Sequence, residues 1–131
     1  MSHPKMFEDA DPYLIRVRKL ALRLPDAAEK ISHGRPAFYT TKVFAYYGGS
    51  VRDAGEWLPH DQAVMVLSAP DTRQALEQDA RCFVPAYLGP SGWRGLDLDA
   101  DSDWDEVAEL LEESYRITAG VRRVARLDQQ S

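Results

Sequence analysis

A single cysteine, Cys82, stands in the 131 residues, so no internal disulfide can form and nothing calls for an oxidising compartment. No apolar run approaches the ~20 residues that a membrane-spanning helix needs. The opening stretch MSHPKMFEDADP lacks the charged-then-apolar layout of a secretory signal, so a cytoplasmic protein with no membrane partner is expected. Catalytic signatures are missing as well. There is no G-x-S-x-G or H-E-x-x-H, no phosphate-binding loop with its lysine and no three-glycine dinucleotide pattern. His3, His33, His60 and Cys82 are scattered without zinc-ligand spacing. No catalytic residue, metal or cofactor is therefore expected.

What is present fits one domain over residues 1–131. A chain of this size buries roughly two-thirds of the surface its unfolded form exposes, enough for a core without staples. The net charge is −5 but unevenly spread: residues 1–60 hold nine Lys/Arg against seven Asp/Glu, residues 61–131 seven against fourteen. An acidic whole excludes indiscriminate coating of nucleic acid, which is driven by counterion release at clustered cations. A local basic face remains compatible with it.

Asp11-Pro12 has the form of a helix cap followed by proline at the first helical position, and Leu14, Val17, Ala21 and Leu24 recur at helical spacing. The opposite face of this helix carries Arg16, Lys19 and Arg23. The period then changes to two: Ala37 to Tyr39 and Val43 to Tyr47 read as paired strands, with Thr40-Thr41 turning between them and Gly48-Gly49-Ser50 ending the second. A polar loop to Asp61 follows, in which Trp57 and Leu58 fold back on an apolar surface. Ala63–Leu67 is a continuous apolar run, hence a central strand, and Pro70 opens a short helix. Arg81–Leu88 is extended but broken by Pro85, and Trp93–Leu98 alternates as a half-buried strand. The last strong helix begins near Ser102 or Asp103, with Trp104, Val107, Ala108, Leu111 and Tyr115 as its apolar stripe; the tail Val121–Ser131 forms a short helix or frays. The expected fold is α+β: an antiparallel sheet of about five strands with an N-terminal and a C-terminal helix on one face.

The alternating acids Asp97, Asp99, Asp101, Asp103 and Asp105 invite a calcium reading, but no frame holds glycine at its sixth position. They serve a helix N-terminus instead. Cys82 adjoins Arg81, which favours a thiolate, yet it sits in an apolar stretch typical of core cysteines. The strongest binding candidate is the aromatic hairpin. Phe38, Tyr39, Phe44, Tyr46 and Tyr47 lie between Arg35 and Lys42, and sheet aromatics stack bases at about 1–3 kcal/mol each. Strand alternation puts Phe44 and Tyr46 on one face and Tyr47 on the other. The candidate nucleic-acid contacts are therefore Arg16, Lys19, Arg23, Arg35, Lys42, Phe44 and Tyr46.

Several short pieces, in this order and spacing, are similar to the YjbR/MmcQ family of small proteins, whose fold is CyaY (frataxin)-like. They are HGRP at 33–36, KVFA at 42–45, VMVLS at 64–68 followed by Pro70, Phe83-Val84-Pro85, then Trp93, Leu96, Leu98, Asp99 and Ser114-Tyr115. The resemblance covers nearly the whole chain. It implies a terminal helix, an antiparallel sheet and a closing helix, and it implies DNA binding, a label that family members carry. Ser68-Ala69-Pro70 stands where the family pattern has a lysine after the central strand. Frataxin iron chemistry does not carry over, because the first helix here is basic where frataxins are acidic. The function expected is a monomeric, non-enzymatic binding domain for nucleic acid. A protein-interaction module built on Trp57 is the alternative, and an enzyme acting on a small molecule is the least supported.

Overall fold

The computed structural model describes residues 4–130. In chain order the elements are α1 (Pro12–Leu22), β1 (Ala28–Ser32), β2 (Arg35–Tyr39), β3 (Val43–Asp53), β4 (Glu56–Val66), α2 (Pro70–Glu77), β5 (Cys82–Phe83), a 3-10 turn at Gly89–Ser91, β6 (Arg94–Asp97), α3 (Trp104–Thr118) and α4 (Val121–Gln129). The strands form one antiparallel sheet in the order β1-β2-β3-β4-β6-β5. The class is α+β, with six strands where about five were expected. The added strand is β1, an edge strand.

α1 starts where the sequence places it. The Asp11 carboxylate accepts from the Tyr13 amide at 2.9 Å, and Pro12 occupies a position whose N–H would have had no partner. An 11-residue helix is too short to persist alone in water, so packing holds it. Leu14, Val17 and Ala21 are fully buried, and a buried Leu or Val is worth about 1.5–3 kcal/mol. They meet α3 through Val107, Leu110, Leu111 and Tyr115, and the helix-covered sheet face through Phe38, Phe44, Ala45, Tyr47, Val64, Val66 and Leu96. Ser114 ties the layers together: its Oγ accepts from the Leu67 amide at 3.0 Å and donates to the Phe44 carbonyl. On the opposite, open face a smaller cluster gathers Ala63, Met65, Phe83 and Trp93, with Tyr46 packed against it. Gly95 belongs to this face because a side chain there would collide with the Phe83 ring.

Three expectations are corrected. First, Gly48 does not end β3. The strand continues through an irregularity, the register passing from Tyr47↔Val64 to Gly49↔His60, and Gly48 takes φ +83°. Second, the polar stretch to Asp61 is an extended two-stranded arm that turns at Ala54-Gly55, both with positive φ. Both of its faces meet solvent, so the sequence shows no buried period. Trp57 and Leu58 do not fold back into a core; they stay 48% and 42% exposed. Third, Phe44 and Tyr46 do not share a face. The β2–β3 register moves from Tyr39↔Val43 to Phe38↔Ala45, leaving Phe44 as an extra residue. That bulge turns Phe44 toward the helices alongside Tyr47 and leaves Tyr46 on the open face.

Candidate functional site

The helical contacts expected of Arg16, Lys19 and Arg23 divide. The Arg16 guanidinium lies 4.3 Å above the Trp104 ring, at the acidic start of α3. Lys19 and Arg23 are exposed and have no carboxylate partner among the described residues. Phe44 is removed from the candidate contacts: it is fully buried and packs edge-on against Tyr115 at 5.5 Å, so its ring cannot meet a base. Lys42 is exposed at the β2–β3 turn. Arg35 and Tyr46 lie together on the open side of the sheet, away from the α1 stripe.

α4 contributes cations that sequence reasoning left unassigned. Arg123 donates through Nε to Asp26 at 3.0 Å and through Nη1 to Thr41 at 3.3 Å, while Arg126 donates to the other Asp26 oxygen at 2.7 Å. These bonds tie α4 to the end of α1 and to the turn carrying Lys42. Arg122 and Arg126 stand four apart and project from one side of α4. Arg123 and Arg126 thus converge on Asp26, three residues beyond Arg23, while Arg123 also reaches Thr41, the chain neighbour of Lys42. The two arginines hold the Asp26 carboxyl below its usual pKa, Arg126 contributing most. The acids from Asp97 to Glu106 belong to the other end of α3.

A cleft of about 1820 Å³ opens on the face bearing Tyr46. It is lined by Tyr46, Gly48, Gly49 and Met65 of the sheet, by residues 5–8, 10 and 11 of the N-terminal segment, by Trp57 and Pro59 of the arm, and by residues 86–88. The N-terminal segment is anchored by the Met6 amide donating to the Gly34 carbonyl at 2.8 Å. Arg35, only 8% exposed, reaches into this cleft. Its Nη2 donates to Asp61 at 3.1 Å, while its Nη1 is buried without a hydrogen-bond partner. The guanidinium rests against Gly48, where any side chain would strike Nη1. At the mouth, Tyr87 is 80% exposed with φ +65°, a conformation a bulky residue rarely adopts, and its ring lies 5.8 Å from that of Trp57.

Other titratable groups are built into structure. The Asp79 carboxyl is held down at about 2 by the Arg81 side chain and amide. Burial, then the neighbouring Asp11 carboxylate, pushes the Tyr47 hydroxyl up. Burial also raises the Cys82 thiol, against the expectation that Arg81 favours its thiolate; Arg81 is engaged with Asp79 and Glu106. His60 stacks on Phe83 and bonds Asp97 at 2.7 Å. His3 lies outside the described residues. Among the described residues no group of three or more His, Cys, Asp or Glu could hold a metal, and no helix is long and apolar enough to cross a membrane.

Sequence reasoning missed Gly48 and Asp61 as partners of Arg35, and Tyr87 as the partner of Trp57 at the mouth of the same cleft. No local signal joins them, since the residues lie on separate strands and loops. A model of the family described as YjbR matches residues 22–117, from the last residue of α1 almost to the end of α3. No curated protein matches the chain.

Proposed function

This chain belongs to the YjbR family, and on that premise we propose that it is a non-enzymatic domain that binds nucleic acid through its basic end. One observation carries the reading: in a protein of net charge −5, Arg123 bridges Asp26 and Thr41 and Arg126 joins it on Asp26, with Arg23, Lys42 and Arg122 close by in the chain. Phosphate binding draws its free energy from counterions released at such a cluster, and a local excess of cations suffices for it. Lys19 extends the cluster along α1. Arg16, held over Trp104, contributes less.

Fluorescence anisotropy with labelled single- and double-stranded oligonucleotides tests the reading. Binding is expected at low salt, weakening with a log–log slope of roughly −0.9 for each phosphate contact on duplex DNA. Arg23→Glu with Lys42→Glu and Arg122→Glu abolishes it. Binding that survives this triple reversal refutes the assignment of the surface.

A second reading is favoured by the exposed Trp57 and Leu58 of the arm: this apolar tip contacts another protein. Self-association in sedimentation velocity that disappears in Trp57→Ser with Leu58→Ser is the outcome that supports it; a monomer at high concentration removes the case for a second copy as that partner.

A further inference from the structure

The orphaned Nη1 of Arg35 has a consequence separate from the basic end. A buried guanidinium N–H without an acceptor is costly, and native proteins satisfy nearly all such groups. The Arg35 side chain lines a cleft, and a turn of its guanidinium away from Gly48 brings this N–H to an acceptor on a ligand. The charge around it narrows the choice. Arg35 is already paired with Asp61, Lys5 is engaged by Asp9 at 3.1 Å, and Glu8 and Asp11 also line the cleft. A phosphate or carboxylate entering beside Asp61 would meet like charge, which disfavours both. A neutral carbonyl oxygen would not.

Asp61 supplies the complementary half. One of its oxygens accepts from Arg35, and the side chain is 63% exposed, leaving the other oxygen able to take an N–H. Donor and acceptor thus stand side by side. The remaining lining is suited to a flat ring: Tyr46, Trp57 and Tyr87 present aromatic surface, and Tyr87 is held in its rare conformation at the mouth.

We propose that the cleft binds a planar lactam heterocycle, a ring with C=O and N–H adjacent as in keto-form nucleobases, its carbonyl accepting from Arg35 Nη1 and its N–H donating to Asp61. Gly48 is the enabling residue, because only a position without a side chain lets the guanidinium lie where it does.

Calorimetric titration of the full chain with uridine, inosine, cytidine and adenosine tests this. Uridine and inosine carry the lactam edge; cytidine and adenosine do not. At least about tenfold tighter binding of the first pair is expected, since a mismatched edge leaves Arg35 or Asp61 unpaired. Asp61→Asn keeps an oxygen for Arg35 Nη2 and replaces the free acceptor by an amide donor, with circular dichroism confirming that the variant is folded. It weakens uridine and inosine by a similar factor and strengthens cytidine, whose ring nitrogen accepts. Arg35→Lys weakens the lactam pair in parallel. A thymidine oligonucleotide separates the two sources of such a ring: if it binds, loses affinity in Asp61→Asn, and free uridine does not bind, the ring arrives on a strand. Failure of every probe, equal binding of all four nucleosides, or indifference to Asp61→Asn overturns the proposal. The Arg23, Lys42 and Arg122 reversal leaves nucleoside binding unchanged, so failure at the basic end and failure at the cleft are distinguishable.

Discussion

Replacing Ser114 by alanine removes one oxygen from the interior and strands two backbone groups. The Oγ accepts from the Leu67 amide at the end of β4 and donates to the Phe44 carbonyl on β3, and Ser114 is fully buried, so water cannot take its place. The amide has a single proton and nowhere else to give it; leaving it unpaired costs about 1–3 kcal/mol. The carbonyl retains a second lone pair and loses less, about 1 kcal/mol. The new methyl group recovers only a fraction of this. Ser114→Ala is therefore expected to lower stability by about 2–4 kcal/mol, a large share of the 5–15 kcal/mol typical of a domain. Urea unfolding followed by circular dichroism should show an earlier midpoint with an unchanged slope, because the surface exposed on unfolding is the same. A loss under about 0.5 kcal/mol would refute the reasoning, since it would mean that neither backbone group depends on the hydroxyl.

Gly95→Ala forces a methyl into the Phe83 ring and should destabilise by about 1–3 kcal/mol, measured by thermal melting, with Gly55→Ala at the open arm tip as a control for strain alone. The depressed Asp79 carboxyl stabilises the fold at pH above its unfolded value near 4, and that contribution is lost as pH falls toward about 2. Asp79→Asn should consequently lower the urea midpoint at neutral pH, and the gap between variant and parent should close across that window. Asp26→Asn keeps a residue tolerant of positive φ while removing the acid between Arg123 and Arg126. If the basic end binds phosphate, anisotropy should report tighter oligonucleotide binding and a steeper salt slope; an unchanged slope counts against that surface.

The elements legible in the sequence were those with one wet and one dry side, together with the run Ala63–Val66, which is dry on both. α1 announced itself through Asp11-Pro12 and the Leu14, Val17, Ala21 spacing, and α3 through its stripe, with Asp103 as the cap. β1 and the arm were not legible for the same reason as each other. Ala28–Ser32 is nowhere fully buried, and Val51–Pro59 is solvated on both sides, so neither leaves a period in hydrophobicity. Arg35 and Tyr46 stand among the expected nucleic-acid contacts as a cation and an aromatic ring, a pattern that misses what distinguishes Arg35. Its burial against Gly48 depends on a contact between strands that no local pattern encodes. The α4 cations were visible as residues and invisible as a cluster, because Asp26 and Thr41 lie far upstream in the chain.

The bulge at Phe44 bears on how the gene can tolerate change. Side chains along a strand obey an odd–even rule, so the extra residue works as a phase slip that sorts one run of rings into two destinations. Deleting a codon there would not merely shorten β3. It would offer the phenol of Tyr46 to the interior or turn Phe44 outward, and so trade solubility against core volume at a stroke. Substitutions in KVFAYY are consequently graded by side-chain chemistry, whereas insertions and deletions there are all-or-none.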